Sequence, residues 1–443
     1  MLSRFSPLSL RIAAIAITLT AGLAAFLVSG TAPAAVRGSL GVVGFLAAVA
    51  AFSTDLRAVN WRTVGWGLAL QVGLALLILR FEIGGRRPVY ELFEAVAAGV
   101  RQFLSLTNAG TQMVFGGLAD PAVMEGAGFP VGFVFAFQGL PVIIFVSSFF
   151  TLLYYFGILQ FVVRLMARLM MVLMRTSGAE TLSAAANVFM GQTEAPLIVK
   201  PYVARMTQSE LLTMMVGGMA TIAGSVMAIY IALGADPVAI LTTSVMAAPC
   251  GLYLSKILLP ETAQPETLQH TETTSEKSHA NAVDAIAAGA SEGTILAINV
   301  AAMLIAFLAF LALVDFALGA VYPGLSLARI FAVVFAPAAI MMGVPMAEVP
   351  IVADLLGTKL VANEFVAYLK LTTEYSGISR ESLVLSTYAL TGFANIGSIG
   401  ILIGGIGGMA PTRRGDLARL GGKALLGGFV ATMINASIAA MLL

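Results

Sequence analysis

Long, mostly apolar runs recur along this chain, separated by short basic or polar loops. They cover residues 9–30, 38–53, 64–80, 137–160, 211–232, 238–256, 293–320, 384–408 and 424–442. A helix needs about 20 apolar residues to cross the hydrocarbon core of a bilayer. No alternation of period two is present, so the pattern predicts spanning helices and not a barrel. Residues 81–135 are mixed and rich in glycine, with amphipathic pieces such as 89–104, and are expected outside or on the membrane surface. Residues 161–175 carry Arg164, Arg168 and Arg175 near one face, opposite a wide apolar face. That predicts an interfacial helix on the cytoplasmic side. Residues 260–281 are the only long hydrophilic stretch and read as a mobile cytoplasmic linker between two halves.

Two polar clusters lie within this apolar background. One is GQTEAPLIVKP, Gly191 to Pro201; the other is TKLVANEFVAY, Thr358 to Tyr368. Each places a carboxylate, Glu194 or Glu364, beside amides and hydroxyls. Ionisable groups at membrane depth are costly and usually face a cavity or a solute path. Residues 181–203 are interrupted by Asn187, Gly191 to Glu194 and Pro196, which predicts a re-entrant hairpin with its polar tip buried in protein. The run 211–232 is broken by TIAGS, Thr221 to Ser225, and the run 384–408 by GFANIGS, Gly392 to Ser398.

The order of parts therefore repeats. Each half has a long span, a hairpin with a Glu at its tip, a broken span and a plain span. Basic loops give the two halves opposite orientations. Inverted repeats with broken helices are an architecture of secondary transporters. A helix break frees N–H groups, which hold acceptors on a solute, and carbonyls, which ligate a cation. The Glu, Gln, Asn, Thr and Ser side chains suit a polar, uncharged solute. The broken spans carry no Arg or Lys, which disfavours a phosphorylated one. Lys200 and Lys359 flank the hairpins as candidate counter-charges, and Lys359 is a candidate partner of Glu364.

Composition sharpens this picture. The 443 residues are 59% hydrophobic and 11% charged, with a formal net charge of +1. No global field attracts nucleic acid. The single cysteine, Cys250, can form no intrachain disulfide and reads as a packed apolar side chain. His270 and His279 both fall in the polar linker, so they build no metal site and stand badly for a proton relay. Arg4 and Arg11 flank the start of the first run, while Arg57 and Arg62 follow the second. This places the N-terminus in the cytoplasm. Small residues at Ala32 to Ala35 follow the first run, as they would after a secretory signal. The length of that run and the second run directly after it favour a retained helix.

The motifs resemble those of the concentrative nucleoside transporter family, from about residue 40 to the C-terminus. GQTEAP (Gly191 to Pro196) matches the first hairpin motif. Gly357, Lys359 and Asn363 to Tyr368 match G-x-K-x3-N-E-F-V-A-Y at every fixed position, and GFANIGSI (Gly392 to Ile399) matches the broken span. The resemblance implies an all-α polytopic membrane protein, an inverted repeat with two re-entrant hairpins and two broken helices. It also implies an elevator-type homotrimer with a scaffold and a transport domain, in a bacterial inner membrane.

Gln192, Thr193 and Glu194 would then bond the nucleobase, with Val226 packing beside it. Glu364, Asn395 and Ser398 would hold the ribose hydroxyls, with Phe393 lining the pocket. A sodium ion, the coupling ion, would be held by the Asn187 side chain, the Thr221 hydroxyl and the backbone carbonyls of Met190 and Ile222. No other cofactor is implied. Thr221 replaces a serine often found in bacterial relatives and keeps the hydroxyl; Met190 replaces a common valine at a backbone ligand. The expected parts are an extra helix (1–37), scaffold helices and a surface segment (38–160), a first transport repeat (161–259), the linker (260–292), a second-half scaffold helix (293–328) and a second transport repeat (329–443).

Three functions follow. The first is sodium-coupled uptake of a uridine-like nucleoside. The second is the same transport driven by protons, with Glu194 or Glu364 titrating. The third is an intramembrane hydrolase using the two glutamates as acid and base, although no His or Cys accompanies them.

Overall fold

The computed structural model describes residues 6–128, 134–267 and 279–443. His270 and the rest of residues 268–278 of the expected linker lie outside the described residues. Apart from one isolated bridge between Ile83 and Arg86, every regular element described is a helix. Seven of the described helices are long and apolar enough to cross a membrane.

The first half comprises α1 (Pro7–Leu27), α2 (Ala34–Ala51), α3 (Trp61–Leu79), α4 (Pro88–Ser105), α5 (Leu140–Tyr155), α6 (Ile158–Met174), α7 (Gly178–Ala186), α8 (Gln208–Ala220), α9 (Gly224–Ala232) and α10 (Pro237–Leu258). The second comprises α11 (Ala282–Val321), α12 (Leu327–Val334), α13 (Val349–Val361), α14 (Glu364–Thr373), α15 (Arg380–Leu390), α16 (Ile396–Met409) and α17 (Arg414–Leu442). Shorter turns of helix join them.

Local chemistry sets the starts. Ser177 with Glu180 and Thr207 with Glu210 form capping boxes that open α7 and α8. Asp236 caps α10 ahead of Pro237 at its first position, and Asn363 and Asn395 cap α14 and α16. The face of α6 carrying Leu159, Val163, Ala167, Met170 and Met174 is buried, while Arg164 and Arg168 are exposed. This agrees with the amphipathic helix expected at 161–175.

Three boundaries differ from the sequence reading. The span expected at 293–320 is α11, a single helix of 40 residues that starts at Ala282. The apolar residues 329–352 are not one run: α12, a short helix at Ala336–Met341 and a turn precede the hairpin arm α13. The final span begins at Arg414, not 424, because the basic loop continues into the helix.

Packing groups the helices by glycine contacts. A methyl at Gly289 or Gly293 of α11 would sit 2.6 Å from Ser148 Cα or 2.8 Å from Ile144 Cα of α5, so these backbones nearly touch. Gly38 of α2 lies equally close to Ser437 of α17, and Gly67 of α3 lies against Tyr253 of α10. A buried polar string joins α3, α10 and α17: Tyr253 donates to Gln71 (2.8 Å), Gln71 to Asn435 (2.6 Å) and Asn435 to Thr243 (3.0 Å). Such strings satisfy groups that would otherwise be orphaned in an apolar interior. Helices α2 and α3 pack on α10 and α17, whereas α5 pairs with α11.

Candidate functional site: a cavity at two helix breaks

Each half supplies one hairpin and one interrupted helix. In the first, α7 ends at Asn187 and the chain turns through Gly191 to Glu194 before the short 3-10 helix Ala195–Val199. Glu194 caps its own turn by accepting the Gly191 N–H at 3.1 Å. Helix α8 stops at Ala220, Thr221 is extended, and α9 restarts at Gly224. The Gly224 N–H donates to the Phe189 carbonyl, which ties the hairpin to the break. In the second half, α13 and α14 form the hairpin around Ala362 and Asn363, and residues 391–395 separate α15 from α16.

The four pieces meet around a cavity of about 190 Å³. All eight residues assigned to substrate from the sequence line it: Gln192, Thr193, Glu194, Val226, Glu364, Phe393, Asn395 and Ser398. Glu364 is buried and accepts two hydrogen bonds, from Tyr230 Oη to Oε1 (2.8 Å) and from Asn395 Nδ2 to Oε2 (3.1 Å). Asn395 Oδ1 accepts the Ser398 N–H (2.9 Å), so one side chain both caps α16 and orients the carboxylate. Gln192 Nε2 donates to Ser398 Oγ at 3.4 Å across the two halves, while its Oε1 has no hydrogen-bond partner among the described residues. Leu296, Val300 and Leu304 of α11 form an apolar wall. Glu194, Ala223 and Leu296 also border a second space of about 840 Å³, lined by Phe150, Tyr154, Lys200, His279 and Glu292. The small cavity therefore shares a wall with this wider space, a vestibule beside it.

A set of oxygens lies beside the first break. Asn187 is fully buried; its Nδ2 donates to the Ser183 carbonyl and its Oδ1 has no hydrogen-bond partner among the described residues. Thr221 Oγ donates to the Gly217 carbonyl at 2.9 Å and keeps its lone pairs free. A methyl on Gly217 would lie 3.2 Å from Asn187 Nδ2, so both side chains converge there. Both bond back onto their own helix and not across helices, which leaves oxygens available. A buried, unpartnered carbonyl oxygen beside a hydroxyl and unwound backbone fits a small hard cation such as sodium.

The alternative reading of Glu364, as an ion-pair partner of Lys359, is not the arrangement found. Lys359 is fully buried, but its Nζ donates to the Ala389 carbonyl (2.8 Å) and Thr432 Oγ (3.0 Å), and it makes no ion pair among the described residues. The reversal at Ala362 separates it from Glu364, and its charge meets the C-terminal carbonyls of α15 instead. Lys200 is exposed and borders the vestibule. Tyr230 is a hydrogen-bonding residue of the site that the sequence reading missed, as it missed the apolar wall of α11. It stands at i+4 from Val226, on the same face of α9, and that spacing was the available signal.

Comparison with known proteins bears on this arrangement. Residues 40–118 and 239–440 match the Na+ dependent nucleoside transporter N-terminus and C-terminus families, and residues 136–237 match a nucleoside recognition family. An uncharacterized transporter of Haemophilus influenzae is 44% identical over 91% of this chain and 96% of its own. The sodium/nucleoside cotransporter 1 of Mus musculus is 42% identical over 91% of this chain.

The chain belongs to the Na+-dependent nucleoside transporter family.

It spans 63% of the length of that mouse relative. The substrate-bound, inward-facing structure of CNTnw superposes with a TM-score of 0.87 at 38% identity, covering 92% of this chain and 98% of that one. An outward-facing form of a CNTnw variant gives 0.86. The protein is accordingly a multi-span membrane transporter with the hairpin and broken-helix fold, and not an enzyme. This removes the hydrolase alternative. Neither the family descriptions nor the relatives indicate proton coupling.

Proposed function

We propose that this protein imports nucleosides by sodium symport through alternating access, with uridine among its substrates. The observation that carries the reading is the single cavity in which both helix breaks and both hairpin tips present amide, hydroxyl and carboxylate groups, with no cation among its lining residues. Such a lining matches a neutral solute rich in donors and acceptors. Gln192, Thr193 and Glu194 take the nucleobase, against Val226. Glu364, Asn395 and Ser398 take the ribose hydroxyls, beside Phe393. Sodium sits among Asn187, Thr221 and the Met190 and Ile222 carbonyls. In this reading the ion stiffens the first break, so solute affinity rises with sodium.

The moving body carries the hairpins and broken helices past the α5–α11 pair in an elevator motion. The assembly is a homotrimer in the bacterial inner membrane, with the N-terminus in the cytoplasm. The test is uridine uptake into proteoliposomes of the purified protein, with and without an inward sodium gradient. Sodium-driven accumulation supports the reading. Silence toward uridine and purine nucleosides under both sodium and proton gradients overturns it, and uptake driven only by a pH gradient overturns the choice of ion.

A further inference from the structure

We propose that Tyr230 is the positioning residue that aims Glu364 at a vicinal diol, and so sets the preference for ribose over deoxyribose. The inference rests on the assignment of Glu364 to the sugar. It starts from acceptor bookkeeping. A carboxylate has two oxygens and about four acceptor positions. Tyr230 fills one on Oε1 and Asn395 fills one on Oε2. The Glu364 backbone N–H takes a share of a third position, so some acceptor capacity remains on the carboxylate, and Glu364, Tyr230 and Asn395 all line the cavity. The capacity left on a carboxylate held in one orientation suits neighbouring hydroxyl donors. A sugar with one hydroxyl removed leaves an acceptor unpaired, and burying an unpaired acceptor is what discriminates strongly.

Tyr230 is well held for that task. It is fully buried, stacks on Tyr368 with ring centres 4.2 Å apart, and meets Phe365 edge-on at 5.8 Å. The Tyr368 hydroxyl is itself bonded to Thr391 Oγ (2.7 Å) and the Thr387 carbonyl (3.0 Å) at the second break. The phenol therefore has little freedom, and neither has the carboxylate it grips. Asn395 alone would leave the carboxyl group able to rotate about its last torsion, which is broad and soft. A competing account is that a buried tyrosine hydroxyl needs some partner and Glu364 happens to be it. That account predicts a loss of stability and no change in sugar preference.

The experiment compares uridine with 2′,3′-dideoxyuridine in sodium-driven proteoliposome uptake, for the wild type, Tyr230→Phe, Glu364→Gln and the double variant. Tyr230→Phe is expected to raise the half-saturating uridine concentration roughly 10- to 100-fold. Dideoxyuridine uptake and the half-saturating sodium concentration stay unchanged. The double variant is expected to be no worse than Glu364→Gln alone, since both changes act on one contact. Equal losses for the two nucleosides, or no loss for uridine, overturn the proposal. A wild type that takes both nucleosides equally well overturns the sugar role of Glu364 itself, a different failure. If Tyr230→Phe does not fold, 3-fluorotyrosine at position 230 keeps ring and hydroxyl while making a stronger donor. It is expected to shift the half-saturating uridine concentration and spare dideoxyuridine, and an unchanged uridine response overturns the proposal.

Discussion

The Phe393 N–H donates to the Thr221 carbonyl at 3.1 Å, so the two unwound segments are bonded directly to each other. Phe393 lines the solute cavity and Thr221 belongs to the oxygen set beside Asn187. One backbone bond therefore joins the candidate cation position to the candidate solute position. The neighbouring Gly392 makes the approach possible. Its φ is +155°, and a methyl there would lie 2.8 Å from Thr432 Cγ2, 3.0 Å from the Met219 carbonyl and 3.1 Å from the Ala220 carbonyl. Gly392→Ala is expected to cost about 1–3 kcal/mol from backbone strain and overpacking. The check is a lowered melting temperature in detergent; an unchanged one would refute the crossing as drawn.

Thr221 separates the hydroxyl from the carbonyl beside it. Thr221→Ser keeps the hydroxyl and is expected to leave the sodium dependence of uptake close to wild type. Thr221→Ala removes one ligand oxygen and should raise the half-saturating sodium concentration about five- to thirtyfold, as for an interaction of ~1–2 kcal/mol. Uptake measured across a sodium series tests both. An alanine variant with wild-type sodium dependence would take Thr221 out of the ion site.

Glu364→Gln keeps volume but turns one acceptor oxygen into an NH2 group. That group then faces either the Tyr230 hydroxyl or the Asn395 amide, both of which donate in the native arrangement. Uridine uptake at low concentration is expected to fall by about 10- to 100-fold, the worth of a charge-assisted bond. The amount of folded protein, read by size-exclusion chromatography, should change little. Normal transport by this variant would mean that Glu364 does not hold the sugar.

The α5–α11 contact offers a test of the fold away from the cavity. Gly293→Leu would force a side chain against Ile144, Ser147 and the Ile143 carbonyl. Separating the helices is expected to cost about 1–3 kcal/mol. Reduced yield of folded protein, with Gly319→Leu as an unaffected control in open space on the same helix, is the expected pattern.

The parts that break membrane rules are the parts most readable from sequence. Thr221 to Ser225 and Gly392 to Ser398 stand out because small and hydroxyl residues interrupt apolar runs, and Glu194 and Glu364 stand out because charge there is costly. Relations set by tertiary packing are not readable in this way. Helix α11 extends back to Ala282 because Gly289 and Gly293 seat it on α5, although Asp284 and Glu292 interrupt the hydropathy there. Lys359 lies near Glu364 in sequence, yet the hairpin turn sends it to Ala389. Tyr230 looks like one more aromatic residue in an apolar helix until the fold places Glu364 opposite it.

The apolar wall of Leu296, Val300 and Leu304 carries a mechanical consequence. Every polar group lining the cavity belongs to the hairpins and broken helices, while α11 contributes only hydrocarbon. These three residues follow one another at helical spacing and form a greasy rail about 12 Å long. In the proposed elevator motion a pocket sliding along such a rail would break no hydrogen bond with it, so its resting points would be set elsewhere, and α11 would serve as a bearing and not as a latch.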